Sequence, residues 1–297
     1  QMEIAVLSDI HGNHIALERC LGYALARGAD TFFILGDNVG ELAYPQKTLD
    51  ALYGLKARHD CYFVQGNREQ YFLEYRERGA AGWQSGNSLT GTLWYVDRAL
   101  RRRDLEFFAA MPPARQMEFC GLPPVTLCHG SPEKVNGKLL AGDAESLEVL
   151  ARSKTPLVLC GHTHVQGRIE HSGRTALNPG AVGVPLFSGG KAQFLLLHGG
   201  AGRWEEEFVS LEYDVERAIE ELYEERLQEH APWWAAITVS LLRGKDVPHG
   251  RVLARAMELC RGGQGGCRWP EVPEEYMERA VTELIGAKEG KKARQKS

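Results

Sequence analysis

The chain has 297 residues, of which 43% are hydrophobic and 25% are charged, and its formal net charge is -4. This length allows one large domain or a domain with an extension, and the composition is typical of a soluble globular protein. A small negative charge gives no long-range field that attracts nucleic acid or an anionic membrane, and no apolar run reaches the roughly 18 residues that span a bilayer. We therefore expect a small-molecule partner, with no nucleic acid and no membrane.

The sequence also predicts the compartment. The N-terminus opens directly into an apolar strand, so no signal peptide is expected. The seven cysteines form no Cys-x-x-Cys pair, and several of them fall inside apolar runs, where a thiol behaves as a small hydrophobe. An odd number of unpaired thiols is typical of a reducing environment, which predicts a cytoplasmic protein.

The first part of the chain alternates between short apolar runs and amphipathic segments. Strands are predicted at 3–8, 31–36 and 60–65, and helices near 13–27 and 45–58. Strand–helix–strand alternation with short connections predicts parallel pairing with right-handed crossovers.

After residue 112 strands follow one another more directly. They are predicted near 115–120, 124–128, 157–160, 165–170, 174–177, 191–197 and 203–209. Such a meander indicates antiparallel pairing and a second sheet. We therefore predict an α/β or α+β fold in which two mixed β-sheets pack as a sandwich flanked by helices.

Two helical regions are added to this domain, which we assign to residues 2–212. A helical insertion at 68–111 leaves the sheet after Asn67, and we expect it to form one wall of the pocket. A C-terminal helical extension covers 213–290, and residues 291–297 form a basic tail that we expect to be disordered.

The extension is predicted to contain helices at 214–230, 233–243, 249–261 and 273–286, with a glycine-rich loop at 262–266. Its Trp233-Trp234 pair is expected to form core against the sandwich. A homo-oligomer interface through these helices is the alternative.

Side chains that bind metals follow the predicted strands, each where a strand ends. They are Asp9 and His11 in Ser8-Asp9-Ile10-His11, Asp37 in Gly36-Asp37, Asn67 in Gly66-Asn67, His129 in His129-Gly130, and His162 and His164 in Gly161-His162-Thr163-His164. Because ligands bind beyond the carboxyl ends of strands in open α/β sheets, we expect the seven to converge. Nitrogen and oxygen ligands without thiolate suit manganese, iron or zinc.

These motifs, taken in order, resemble those of the calcineurin-like metallophosphoesterase superfamily, in particular its small bacterial members. The resemblance runs from Met2 to about residue 210. It includes Asn178-Pro179-Gly180-Ala181-Val182-Gly183, which is similar to an Asn-Pro-Gly-Ser stretch of those members. The resemblance implies an αββα sandwich and two divalent ions, with manganese or iron expected before zinc.

The resemblance also implies a ligand set. One ion would be held by Asp9, His11, Asp37 and His164, and the other by Asp37, Asn67, His129 and His162. Two ions about 3.5–4 Å apart activate water and stabilise the attacking and leaving oxygens of a phosphoryl transfer. On this interpretation the catalytic residues are Asp37, Asn67, Arg68 and His129.

Arg68 is the one departure from the family pattern. Most members have Gly-Asn-His-[Asp/Glu], and that histidine contacts the substrate phosphate and is proposed to protonate the leaving group. A guanidinium binds phosphate oxygens bidentately but cannot release a proton near neutral pH. We predict that Arg68 contacts substrate, whereas a helix-start residue paired with Glu69 or Glu74 is the alternative.

Asn13 and His14 follow the first motif at the start of a predicted helix. Helix N-termini that face a crevice favour anions, so both residues are candidate substrate contacts. Asn13 as a helix cap and His14 as a surface residue are the alternatives.

The function predicted from these residues is dinuclear-metal-dependent hydrolysis of a small phosphate ester, a nucleotide being one candidate. Monoesters and diesters remain open. One alternative is a metal-bound sensor or binding module with little turnover that holds a partner through the helical extension. The other alternative is a protein phosphatase.

Overall fold

The computed structural model describes residues 2–286, which contain two five-stranded sheets. Strands β1 to β10 are Met2–Leu7, Thr31–Ile34, Asp60–Phe63, Ala114–Phe119, Leu122–Cys128, Leu157–Leu159, Gly167–His171, Arg174–Asn178, Ala192–Gly200 and Arg203–Leu211. Helices α1 to α11 are His14–Ala26, Pro45–Lys56, Asn67–Glu77, Gly91–Ala99, Arg102–Ala110, Ala144–Ala151, Val215–Glu224, Leu227–His230, Pro232–Leu242, His249–Gln264 and Glu274–Leu284.

Both sheets are mixed, as the sequence predicts. The first has the order β10-β9-β1-β2-β3, with β1, β2 and β3 parallel and the β9–β10 hairpin antiparallel to β1. The second has the order β4-β5-β6-β8-β7, in which β5, β6 and β8 are parallel and both edge strands are antiparallel. The central parallel strands therefore bring their carboxyl ends to one edge of the sandwich.

Side chains alternate along each strand, so one face of each sheet packs against the other sheet and the opposite face packs against helices. Ile4 and Val6 of β1 face the second sheet, where they pack in one cluster with Leu127 and Leu159. Ala5 and Leu7 of β1 point the opposite way and pack in the cluster beneath the helices on the outer face of the first sheet. A smaller cluster packs α6, an element the sequence reading missed, against the second sheet. The predicted two-sheet sandwich flanked by helices is confirmed.

The helices after residue 213 pack on the sandwich through a core of their own. Trp233 and Trp234 are 5% and 8% exposed, and they share a cluster with Leu42 and Val184 of the sandwich. Since both rings are already covered within one chain, they are not available as a subunit interface. No helix of residues 2–286 is long and apolar enough to cross a membrane.

Two predicted features of the extension are wrong. The helix predicted at 214–230 is broken at Arg226, which has a φ of 57° and separates α7 from α8. The loop predicted at 262–266 is helical as far as Gln264, and α10 ends at Gly265 with a φ of 73°. A β-carbon at position 263 would stand 2.3 Å from the hydroxyl of Tyr276 on α11, so only glycine fits at this point of the helix. The predicted tail at 291–297 lies outside the described residues.

We expect a chain that ends at residue 212 to aggregate or to melt at a markedly lower temperature than the full chain. The truncation would remove the C-terminal helices and expose the apolar residues of the sandwich that they cover, such as Leu42 and Val184. Circular dichroism melting and size-exclusion chromatography would measure both effects. A chain that ends at residue 286 is the matched control, and a 212-residue chain with unchanged solubility and melting temperature would contradict the expectation.

Candidate metal centre

The seven side chains predicted as metal ligands come together at the carboxyl ends of the parallel strands. Asp9 and His11 follow β1, and Asp37 follows β2. Asn67 begins the helix after β3, His129 follows β5, and His162 and His164 follow β6. Most of these residues are buried, with Asp9 and His129 fully so.

One group is formed by Asp9, His11 and His164. The Nε2 atoms of the two imidazoles are 3.2 Å apart. Oδ1 of Asp9 lies 3.3 Å from Nε2 of His164 and 3.8 Å from Nε2 of His11. The three ligand atoms are close enough to bind one ion.

A second group surrounds His129. Its Nε2 is 3.1 Å from Oδ1 of Asn67, 3.2 Å from Nδ1 of His162 and 3.5 Å from Oδ2 of Asp37. Asp9 also reaches this group, because its Oδ1 is 3.8 Å from the same nitrogen. Asp9, Asp37 and His129 form a second set that is able to bind an ion.

Asp37 lies between the two groups. Its Oδ2 is 3.8 Å from Nε2 of His11 and 3.5 Å from Nε2 of His129, which belong to different groups. Its Oδ1 accepts a hydrogen bond of 2.8 Å from the backbone N–H of Arg68, and this bond fixes the carboxylate. The position matches the bridging role expected for Asp37, and Asp9 occupies a similar intermediate position.

The backbone at these strand ends is unusual. Five of the seven residues have a positive φ, a conformation that is uncommon for residues other than glycine. They are Asp9 at 54°, His11 at 51°, Asp37 at 53°, His162 at 66° and His164 at 59°. Such conformations cost free energy and cluster at functional sites, where the surrounding structure enforces them. The left-handed turns direct these side chains back over the strand ends.

The glycines of the motifs allow the strand ends to touch one another. A β-carbon at Gly66 would stand 2.3 Å from the backbone nitrogen of Asp37, and one at Gly161 would stand 1.9 Å from Oγ of Ser8. Each motif therefore packs against a neighbouring motif, which explains why glycine precedes Asp37, Asn67 and His162.

Hydrogen bonds to the backbone set the tautomers of two histidines. Nδ1 of His129 donates to the carbonyl of Leu35, and Nδ1 of His164 donates to the carbonyl of Val184, each at 2.7 Å. When the imidazoles are neutral, both Nε2 atoms carry lone pairs that point at other acceptors. Oδ1 of Asp9 is buried among them without a hydrogen-bond donor. Buried hydrogen-bond acceptors that face one another without a donor are stabilised when a divalent cation binds between them. These residues therefore fit the ions that the motifs imply.

The pKa values of the two buried carboxyl groups shift in opposite directions. Burial raises the pKa of Asp37 to about 6, an effect that His129 opposes and the nearby Glu69 reinforces. Burial also raises the pKa of Asp9, but the imidazoles of His164 and His129 outweigh it and hold that pKa well below its usual range. Cations provide the compensation that closely packed buried carboxylates require.

Arg68 does not extend freely into the site. Its guanidinium pairs with Glu41, which is 2% exposed, and the other oxygen of Glu41 accepts a 2.6 Å hydrogen bond from Nε1 of Trp234. The alternative partner Glu69 is already occupied, because its carboxylate accepts from the backbone N–H groups of Asp37, Asn38 and Gly66. The residue in the place of the family histidine is thus tied to the C-terminal extension through Glu41.

A cavity of about 390 Å³ opens onto this centre. Its walls come from residues 138–140, from the Gly-His-Thr-His segment and from α9 and the start of α10, including Trp234, His249 and Arg251. The insertion at 68–111 contributes only Arg68, so the prediction that it forms a wall is wrong. Phe72 and Phe108 of the insertion instead pack in the core on the outer face of the first sheet.

The two remaining candidate substrate contacts do not line the cavity. Asn13 accepts a hydrogen bond from the backbone of Ala16 and donates to Tyr213 and Gly183, so it caps α1. Nε2 of His14 lies 2.6 Å from Glu221 on α7 and joins α1 to the extension.

Sequence reasoning missed Glu41 and His249. Glu41 has a recognisable signal, because it is an acidic residue between Val39-Gly40 and Leu42-Ala43 directly after the second motif. His249 belongs to no motif. Its imidazole contacts the ring of Trp234 at a centroid distance of 4.4 Å, and its Nε2 lies 2.9 Å from Oγ1 of Thr238. Only the folded extension brings it to the cavity.

The chain is similar to several known proteins in sequence and in fold. An uncharacterised protein of Methanocaldococcus jannaschii is 25% identical over 243 residues, which cover 76% of this chain and 94% of that protein. A hypothetical protein from Pyrococcus horikoshii has a similar structure, with a TM-score of 0.69 and 20% identity over 83% of this chain and 100% of its own. A metallophosphoesterase from Sphaerobacter thermophilus has a TM-score of 0.64 and 24% identity over 81% and 98% of the two chains.

The two structural likenesses establish a shared fold. The family itself is established by sequence, because the profile of the calcineurin-like phosphoesterase superfamily domain matches residues 2–202, more than half of the chain. Together with the convergence of the seven candidate ligands, this match identifies the chain as a member of the calcineurin-like phosphoesterase superfamily.

Proposed function

We propose that this protein is a cytoplasmic enzyme that hydrolyses a small phosphate ester with two divalent ions. The observation that carries the proposal is the convergence of imidazole and carboxylate acceptors around Asp37, with a buried Asp9 oxygen that has no donor. The seven cysteines are all free, which agrees with a reducing compartment.

We propose that the ligands divide as the resemblance implies. Asp9, His11, Asp37 and His164 would hold one ion, and Asp37, Asn67, His129 and His162 would hold the other. The ions would supply Lewis-acid activation of water and neutralisation of phosphate charge. The backbone carbonyls of Leu35 and Val184 keep His129 and His164 oriented, and the N–H of Arg68 keeps Asp37 oriented.

The dimensions of the cavity favour a small substrate. Its volume of about 390 Å³ is within the range of roughly 300–1,000 Å³ that is usual for small-molecule sites. The extension forms one side of the cavity, which disfavours a folded protein as substrate. This supports a soluble phosphate ester over the protein phosphatase alternative.

The leaving group must depart without a proton from Arg68, because a guanidinium paired with Glu41 remains charged. His249 is a poor donor as well, since burial lowers its pKa to about 4, with Arg68 and His164 adding to the effect and Glu41 opposing it. We therefore propose that good leaving groups are preferred.

Protein reconstituted with Mn²⁺ should hydrolyse 4-nitrophenyl phosphate or its bis(4-nitrophenyl) diester, and Asp37→Asn should remove most of this activity. Loss of the central carboxylate should also release metal, which elemental analysis would measure. Asp104→Asn, which alters a buried carboxylate far from the cavity, is the control. Two tightly bound ions in Asp37→Asn would contradict the bridging role, and metal uptake without turnover of any ester would favour a sensor or binding module.

Glu41→Gln should weaken metal binding by about 10–100-fold, a loss typical of outer partners of a metal site. The substitution would leave the Arg68 charge uncompensated beside two cations, since Oε1 of Glu41 is 3.8 Å from Nδ1 of His11. The double variant Glu41→Gln/Arg68→Met should recover much of the affinity, because it removes both charges. Calorimetric titration with Mn²⁺ would measure the affinities.

Glu221→Gln is the matched control for this cycle, because Glu221 is a buried acid that pairs with His14 away from the cavity. Its metal affinity should equal that of the wild type. A double variant that binds metal no better than Glu41→Gln would refute charge compensation.

His249 should make the protein sensitive to acid. The pKa of His249 is about 4 in the folded chain against an ordinary value of 6.5. As the pH falls from 6.5 to about 4, this imidazole is therefore protonated in the unfolded state but not in the folded state. Stability that is fully present at neutral pH is therefore lost between 6.5 and about 4. With chelator present, the melting temperature of His249→Gln should fall less between about pH 7 and pH 5 than that of the wild type. His171→Gln is the control, and equal losses in His249→Gln and wild type would disprove the effect.

A further inference from the structure

The cavity has two chemically different parts. The metal ligands form its base, whereas much of its wall is apolar. The apolar lining residues are Leu140, Val165, Leu186, Trp234, Leu241 and Pro248. A substrate that fills the cavity must therefore extend beyond the phosphate group with a body that packs against apolar side chains.

Three cationic side chains from residues 2–286 line this cavity, and one of them is already neutralised. Arg68 pairs with Glu41, and its side chain is 13% exposed. The other two, Lys138 and Arg251, are exposed and make no side-chain hydrogen bond or ion pair within residues 2–286. By contrast, Arg255, one turn beyond Arg251 on α10, is held by Glu258 and Glu283.

The two unpaired cations come from different segments of the chain. Lys138 lies in the loop that follows His129 and Ser131, whereas Arg251 lies in the first turn of α10 in the extension. His162 lines the same cavity as these two side chains. Neither side chain is a predicted metal ligand, so both remain available to a substrate.

We propose that Lys138 and Arg251 bind a second negatively charged group of the substrate, which is a phosphate ester with an apolar body and another anionic group such as a carboxylate or a phosphate. The inference rests on the proposed function, since the first phosphate is placed at the metal ligands. Two cations that reach the cavity from separate segments of the chain can recognise a second anionic group of such a molecule and favour its entry. The extension thereby contributes directly to substrate selection.

Binding of stable phosphonates tests this recognition without turnover. We would compare benzylphosphonate and biphenylmethylphosphonate carrying a para carboxylate with the same compounds carrying a neutral carboxamide of equal shape. Titration calorimetry on the Mn²⁺-loaded protein should give about tenfold tighter binding of the carboxylate at one or both lengths. This preference should shrink as salt is raised, because exposed charges are screened.

The preference should fall to within about twofold in the double variant Lys138→Gln/Arg251→Gln, while its affinity for the carboxamide stays unchanged. Lys134→Gln removes an exposed lysine of the same loop that does not line the cavity, so it should keep the full preference. Equal binding of carboxylate and carboxamide by the wild type at both lengths would overturn the proposal, as would a full preference in the double variant.

Hydrolysis of 4-nitrophenyl phosphate by the same preparation separates this proposal from the proposed function. Turnover without a carboxylate preference overturns only the role of Lys138 and Arg251. Metal binding without turnover of any ester overturns the proposed enzymatic function, whatever the phosphonates show.

Discussion

The organisation of this protein depends on bringing several hydrogen-bond acceptors into one buried place. The lone pairs of His129 and His164 and the oxygens of Asp9 and Asp37 face one another at the strand ends. Such a cluster is unfavourable unless cations neutralise it, so the rest of the fold must hold it in place. Backbone carbonyls orient the imidazoles of His129 and His164, and left-handed backbone conformations occur at the strand ends. Glycines allow neighbouring motifs to pack in contact. The strain at these positions and the metal chemistry are therefore two consequences of one arrangement.

The C-terminal extension belongs to the site as well as to the core. Trp234 is buried among the apolar residues of the extension, yet its indole N–H holds Glu41, which in turn pairs with Arg68. The same helices bring His249 and Arg251 to the cavity. Packing of the extension and the properties of the metal cavity are therefore coupled, and an altered extension would change the charges around the metal ligands.

Arg68 shows how one substitution is accommodated. A fixed charge beside two predicted cations would oppose metal binding, but Glu41 lies close enough to compensate it. A charged pair that is mostly removed from water is tolerated because Trp234 donates a further hydrogen bond to the carboxylate. The arrangement retains a guanidinium next to Asn67 at the expense of proton donation, which is consistent with selection for good leaving groups.

The candidate metal ligands, the strands that carry them and the two-sheet sandwich were predictable from the sequence alone, because alternation, strand length and glycine-bounded motifs are local patterns. Other features followed only from tertiary structure. The insertion at 68–111 turns away from the cavity because Phe72 and Phe108 pack in the core. Gly263 lies inside α10, where the close approach of Tyr276 from α11 requires a residue without a side chain. Asn13 caps α1 and His14 pairs with Glu221, so neither residue faces the cavity. Glu41, His249 and Arg251 reach the cavity through contacts between segments that are distant in the sequence. A local sequence pattern does not specify such contacts, because they depend on how the whole chain packs.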